Sequence, residues 1–185
     1  MTTKIVNIVA TGWLGTTVDL QSIAQRLWNI EYNPRRFSAA IHRQRSPNTT
    51  LLIFASGRFV CTGARSIADA KRASRQFARK IQLLLLPQQQ QVRFLEFCVQ
   101  NVVGALRCEH KISLEEFYAH RQQRCQWKQE LFPAGLRYQP YAGDMRTCVL
   151  VFPSRRCVLT GTRTEEAVVE LGAEMRRLLL RYRKP

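Results

Sequence analysis

Residues 37–62, FSAAIHRQRSPNTTLLIFASGRFVCT, are rich in strand-forming apolar residues placed on both parities of a period of two. Turn residues interrupt them at Ser46-Pro47-Asn48 and at Ser56-Gly57, so the stretch predicts a three-stranded antiparallel meander. On its second and third strands Leu52, Phe54, Arg58, Val60 and Thr62 share one side; Leu51, Ile53, Ala55, Phe59 and Cys61 share the other. Both sides are apolar. If helices cover one of them, the other is too hydrophobic for plain solvent and predicts a partner.

The rest of the chain supplies those helices. Residues 4–11, KIVNIVAT, alternate as a strand with Ile5, Asn7, Val9 and Thr11 on one face and Val6, Ile8 and Ala10 on the other. Asn7 is then an amide in an apolar surface, read either as a strand-end residue bonded to backbone or as a group with a polar task. Asp19 is a good N-cap for a helix to about Asn29 that carries Ile23, Leu27 and Ile30 on one face. Trp13, in the connection before it, has no assigned role, and Asn33-Pro34 stops the helical segment. Residues 66–86 predict a longer helix, with a stripe of Ile67, Ala70, Ala73, Phe77, Ile81 and Leu84. Lys71, Arg72, Arg75, Arg79 and Lys80 crowd its remaining surface with almost no balancing acid. Pro87 and Gln88 to Gln91 make a short polar linker.

From Phe94 the pattern restarts: a strand, a helix from about Ser113 to Gln122, three strands, and a last helix from Thr164 to about Arg181. Ser113 with Glu116, and Thr164 with Glu165 and Glu166, place acids at helix starts. The restart is a repeat. At an offset of about 98 residues Phe54 meets Phe152, Arg58 meets Arg156, Val60 meets Val158, and Thr62-Gly63 meets Thr160-Gly161. Val6-Asn-Ile-Val9 is echoed by Gln100-Asn-Val-Val103, which gives Asn7 a twin in Asn101. The chain is expected to be two copies of one unit, residues 1–91 and 92–185.

Charge narrows the partner. The formal net charge of +16 is shared by both halves, with 13 Lys and Arg against 3 acids over residues 1–91 and 16 against 10 over residues 92–185. That balance points to a polyanion. Six cysteines show no C-x-x-C pair and no histidine at zinc-ligand spacing, so all are expected to be reduced thiols of an intracellular protein, without metal or cofactor. Cys61, Cys98 and Cys157 are placed on core-facing strand positions. No signal peptide or bilayer-spanning run is read, which predicts no membrane partner. The three histidines, His42, His110 and His120, fall in no repeated nucleophile-base or acid pair and read as surface or filler residues, so no enzyme activity is expected.

Five segments in order, Val6-Asn-Ile-Val-Ala-Thr11, Glu31-Tyr-Asn-Pro-Arg-Arg-Phe37, the run ending at Arg65, Gln100-Asn-Val-Val-Gly104 and Glu130-Leu-Phe-Pro133, carry a family resemblance. Over almost its whole length the chain resembles the saddle domain of the TATA-box-binding protein and its relatives. The resemblance implies an α+β fold of two pseudo-symmetric β-α-β-β-β-α repeats. They form a saddle with one long curved antiparallel sheet and four helices on the convex side. It implies a nuclear general transcription initiation factor that binds and bends the minor groove of A/T-rich, TATA-type promoter DNA. The groove would be lined by Asn7, Val9, Leu52, Val60, Thr62, Asn101, Val103, Leu150, Val158 and Thr160. Few donors among aliphatic groups suit A·T pairs, which offer only acceptors there. Phe37, Phe54, Phe132 and Phe152 match the family's wedges, which enter base steps and kink the duplex, a known property of the family taken over with the resemblance. Arg35, Arg36, Arg43, Arg58, Arg65, Arg155, Arg156 and Arg163 would contact phosphates.

Partner surfaces follow from the same resemblance. Lys71, Arg72, Arg75, Arg79 and Lys80 match the face for TFIIA-like factors, and Glu130 and Leu131 match that for TFIIB-like initiation factors. Lys128 stands where an acid is expected, a charge reversal that predicts an altered contact. A homodimer in the absence of DNA is a further compatible partner. Other departures lie in the second repeat. Pro153-Ser-Arg155 replaces a small residue followed by Ser-Gly, which predicts a reshaped turn behind Phe152; Ala134 is inserted, and the hairpin from Gln139 to Asp144 is long. Two further readings stay open: a divergent relative with little TATA preference that acts through protein partners, and a nucleic-acid-processing enzyme built on a similar curved sheet.

Overall fold

The computed structural model describes residues 2–85, 87, 91–128, 130 and 135–184. Its contacts divide the chain into one unit of residues 7–100 and a second of residues 1–6 with 101–185. In the first unit β1 (Lys4–Trp13) is followed by α1 (Leu20–Arg26), β2 (Ile30–Glu31), β3 (Ala39–Arg45), β4 (Asn48–Phe54), β5 (Arg58–Ala64) and α2 (Ile67–Leu85). Its strands lie in the order β2-β3-β4-β5-β1 and pair antiparallel. The second unit repeats this with β6 (Leu95–Arg107), α3 (Leu114–Arg121), β7 (Cys125–Gln126), β8 (Leu136–Tyr138), β9 (Cys148–Val151), β10 (Arg156–Thr162) and α4 (Glu165–Leu179), in the order β7-β8-β9-β10-β6. The class is α+β, as expected. Each unit carries one strand beyond the expected four, β2 or β7, whose two residues are too few to show a period.

Strand parity decides which side is covered. In the first unit Ile8, Ala10, Leu51, Ile53, Phe59 and Cys61 are fully buried, with Ile23 of α1 and Ala70, Phe77 and Ile81 of α2. In the second, Val102, Leu106, Val149, Val151, Cys157 and Leu159 are buried with Phe117, Val168, Leu171 and Met175. Removing such a ring as Phe77 would cost about 3–5 kcal/mol. His42 is filler in this layer. It is 2% exposed and stacks on Phe77 with ring centroids 5.3 Å apart. Burial, and next the Lys80 ammonium, hold its pKa below the ordinary histidine value.

Several boundaries differ from expectation, each for a local reason. The first helix stops at Arg26 because Leu27 is already extended and Asn29 takes φ 59. The Asn29 carbonyl then accepts from Arg43 N at 3.0 Å and Ile30 pairs with His42, so the sheet edge claims these residues. Asp19 caps the helix as expected, accepting from Gln21 N and Ser22 N. Ser113 does not cap α3; its hydroxyl donates to Glu115 Oε2 at 3.5 Å. Thr164 does cap α4, through Ala167 N, and a 3-10 turn at Leu180–Tyr182 replaces the expected last helical residues. Cys98 is exposed rather than core-facing. It has the parity of Val102, but Glu96 and Gln100 of that parity are exposed as well, so this end of β6 is uncovered among the described residues. All six cysteines are free.

The β4–β5 turn explains Trp13. Its Nε1 donates to Ser56 O at 3.2 Å, Leu14 N donates to Gly57 O at 3.0 Å, and the Arg58 guanidinium lies 6.0 Å from the indole centroid. Gly57 has φ 78, and a methyl group there would overlap the Thr16 carbonyl oxygen. The matching turn behind Phe152 is not remade by the loss of glycine: Arg155 takes the same left-handed conformation, φ 68. That conformation costs a non-glycine residue about 1–2 kcal/mol. Arg155→Gly is therefore expected to raise stability by about 1 kcal/mol, and Gly57→Ala to lower it by about 2 kcal/mol or more, in urea unfolding of the two variants.

Candidate nucleic-acid interface

On the sheet face away from the helices, each unit contains one bulge. In the first unit the β1–β5 register shifts between Ile8↔Ala64 and Ala10↔Cys61, and Gly63 lies in the shift with φ 94. In the second unit the β10–β6 register shifts between Leu159↔Gly104 and Thr162↔Val102, around Gly161 with φ 92. A bulge leaves a backbone N–H without its ladder partner. Here an asparagine takes it. Gly63 N donates to Asn7 Oδ1 at 2.7 Å, and Gly161 N donates to Asn101 Oδ1 at 2.8 Å. The neighbouring threonines join in, Thr62 Oγ1 donating to Asn7 Oδ1 at 3.2 Å and Asn101 Nδ2 donating to Thr160 Oγ1 at 2.9 Å.

These bonds bear out the reading of Asn7 as a residue bonded to backbone. The amide is bonded to backbone, and because a backbone N–H can only donate, the oxygen is the atom held on the glycine, while the Asn101 NH2 group is itself held on Thr160 Oγ1. The repeated Thr-Gly and the repeated Asn in the sequence are thus the two sides of one contact, made once in each unit.

Around each asparagine the strands set out half-buried side chains in rows. Cross-strand pairing aligns Ile41, Leu52, Val60 and Thr11 in the first unit, with Thr50 opposite Thr62 beside them. In the second unit the corresponding row is Arg137, Leu150, Val158 and Ala105. Val9 and Val103 share the parity of Asn7 and Asn101 and are also half-buried. Ile41, Thr11, Thr50, Ala105 and Arg137 are absent from the expected lining. Residues 39–45 and 136–138 are legible as strands, but which side they turn follows from pairing with β4 and β9.

Phe54 is half-buried on this face and meets Phe37 edge to face, with centroids 6.4 Å apart and Phe37 44% exposed. Phe152 is half-buried at the end of β9, its N–H donating to Arg156 O at 2.9 Å. Phe132 and Leu131 lie outside the described residues, as does Ala134. Arg35, Arg36, Arg65, Arg156 and Arg163 are exposed and make no ion pair among the described residues. Arg43 pairs with Glu31 at 2.9 Å and Arg58 with Glu96 at 3.1 Å. Arg155 is more enclosed, its Nη1 donating to Glu109 O at 3.4 Å.

On α2 the side chains of Lys71, Arg72, Arg75, Arg79 and Lys80 are all exposed. Arg72 pairs with Asp69 at 2.8 Å, and Arg75 lies over the Phe94 ring at 5.6 Å. Lys128 and Glu130 are exposed too. Among the described residues no three His, Cys, Asp or Glu side chains gather as metal ligands.

Comparison with known proteins shows what the chain is similar to. A family model described as "Transcription factor TFIID (or TATA-binding protein, TBP)" matches twice, over residues 2–84 and 96–182. The TATA-box-binding protein of Tetrahymena thermophila is 40% identical over 181 residues, covering 98% of this chain and 71% of that protein. That of Acetabularia peniculus is 39% identical over 181 residues, covering 98% and 91%. Among solved structures, Methanococcus jannaschii TBP superposes with a TM-score of 0.74 at 29% identity, covering 98% of this chain and 99% of that one.

The Asn101 contact has a measurable stability. Asn101→Ala leaves the Gly161 N–H without its acceptor and is expected to cost about 1 kcal/mol in denaturant unfolding. Asn101→Asp keeps the accepting oxygen and should retain most of that.

Proposed function

The chain belongs to the TATA-binding protein family, and on that premise we propose that it is a nuclear general transcription initiation factor that binds the minor groove of A/T-rich DNA and bends it. The observation that carries this reading is the pair of anchored asparagines. Each holds its amide oxygen on a glycine N–H; the Asn7 NH2 group is left as a donor among Val9, Leu52 and Val60, and the Asn101 NH2 group, which gives one hydrogen to Thr160 Oγ1, keeps its second as a donor among Val103, Leu150 and Val158. In the minor groove A·T pairs offer only acceptors, and a guanine amino group would bring a donor against a donor.

Phe37 with Phe54, and Phe152 with Phe132, are the wedges of this reading. Unstacking costs a few kcal/mol per base step, so phosphate contacts must offset it. Arg35, Arg36, Arg65, Arg156 and Arg163, exposed and outside the ion pairs described above, supply them. Arg43 and Arg58 can exchange their carboxylates for phosphates, since exposed ion pairs contribute only about 0–1 kcal/mol. Arg155 is the weakest phosphate candidate, being held on the Glu109 carbonyl. The exposed cations of α2 form the surface for a TFIIA-like factor. Glu130 and Leu131, with Lys128 reversing one charge, form that for a TFIIB-like factor altered to suit.

An end-labelled energy-transfer titration compares a TATA duplex with its G·C-substituted form at one moderate salt concentration. The expected result is binding with a large bend on the first duplex only. Equal binding to both would favour the divergent relative with little sequence preference. Phe54→Ala is expected to lose both affinity and bend with an unchanged unfolding midpoint; a variant that still bends fully would make Phe54 a packing residue. Asn7→Ala should relax discrimination by ~1–3 kcal/mol at one base pair, read from the same titration on singly substituted duplexes.

A further inference from the structure

We propose that Arg137 is a specificity-determining residue that enters the groove from the second unit, where the first unit presents Ile41, and thereby gives the chain one preferred orientation on A/T-rich DNA. The inference rests on the DNA-binding reading and deepens it. Ile41 pairs with Leu52 and Arg137 pairs with Leu150, and Leu52 and Leu150 are equivalent positions of the repeat. Ile41 and Arg137 are therefore equivalent too, so the outer position of the row is aliphatic in one unit and cationic in the other. Leu136 and Tyr138 on either side are buried in the core, which fixes Arg137 on the opposite face.

The guanidinium is held at one nitrogen, and its other two are not buried without a partner. Its Nε donates to Cys148 Sγ at 3.2 Å, and it makes no ion pair among the described residues. Cys148 is itself the repeat equivalent of Thr50, opposite Thr160 on β10. With Nε engaged, the planar fork keeps its two terminal nitrogens for an acceptor outside the protein. Adenine N3 and thymine O2 are such acceptors, and the strong negative potential of an A/T-rich minor groove draws arginine in. A guanine amino group at that base pair would oppose it.

The test scans single A·T to G·C substitutions along an A/T-rich duplex, by anisotropy titration with wild type, Arg137→Ile and Arg137→Lys. Circular dichroism verifies that the variants fold. Arg137→Ile makes the two rows alike and reproduces a side chain the fold already accepts at Ile41. Wild type is expected to show a lopsided profile, with about a tenfold penalty at one position toward one end. Arg137→Ile should abolish that penalty alone and leave the other positions unchanged, while Arg137→Lys, which keeps the charge but loses the fork, should restore it only in part. A uniform loss on every duplex, with the salt slope reduced by about one, would make Arg137 a phosphate contact and overturn the proposal. A profile that Arg137→Ile leaves unchanged would overturn it too, with the DNA reading intact. A wild-type chain that does not bind the A/T-rich duplex would overturn both.

Discussion

A backbone N–H left over by a β-bulge must be paired, and in each unit of this chain the same asparagine pairs it. Much of the open face depends on that contact. The bulge at Gly63 or Gly161 adds one residue to the strand just past Thr62 or Thr160, so that Ala64 and Thr162 return to the buried side opposite Ile8 and Val102 while Val60 and Val158 stay aligned with the aliphatic row. Without the shift the alternation would carry the wrong residues outward, because a slip of one residue exchanges the two faces of a strand. The Thr-Gly pair is thus needed twice over, for a left-handed backbone and for the register beyond it.

Alternation alone makes the two-sided apolar strands readable, and the repeat makes the second unit readable from the first. Helix starts at Asp19 and Thr164 are legible because a cap is a local contact. Helix ends are less so. Arg26 ends α1 because β3 captures the backbone of Asn29 and Ile30, a pairing between segments that no window of sequence contains. Cys98 has the parity of a core residue at an end of β6 that is uncovered among the described residues, so its exposure is a matter of coverage. The turn after Phe152 departs from expectation for the opposite reason. Composition marks Arg155 as unsuited to a left-handed turn, yet the surrounding hairpin holds it there.

The site shows the same division. Asn7, Leu52, Val60 and Thr62 and their twins can be placed on the open face from periodicity alone. Ile41 and Arg137 cannot, since β3 and β8 take their facing from the strands they join. The family comparison supplies what neither could: that the matched chains are TATA-box-binding proteins over 98% of this sequence.

Arg43 and Arg58 illustrate how a protein can moderate its own response to ions. Each already has a carboxylate, Glu31 or Glu96, as its counter-charge in the free state. When such an arginine turns to a phosphate, the duplex releases a condensed cation, but the abandoned carboxylate gathers cations from solution in its place. The net release is smaller than the number of arginine-phosphate contacts. In the proposed complex with DNA, a surface built this way would lose less affinity to added salt than the charge of +16 suggests.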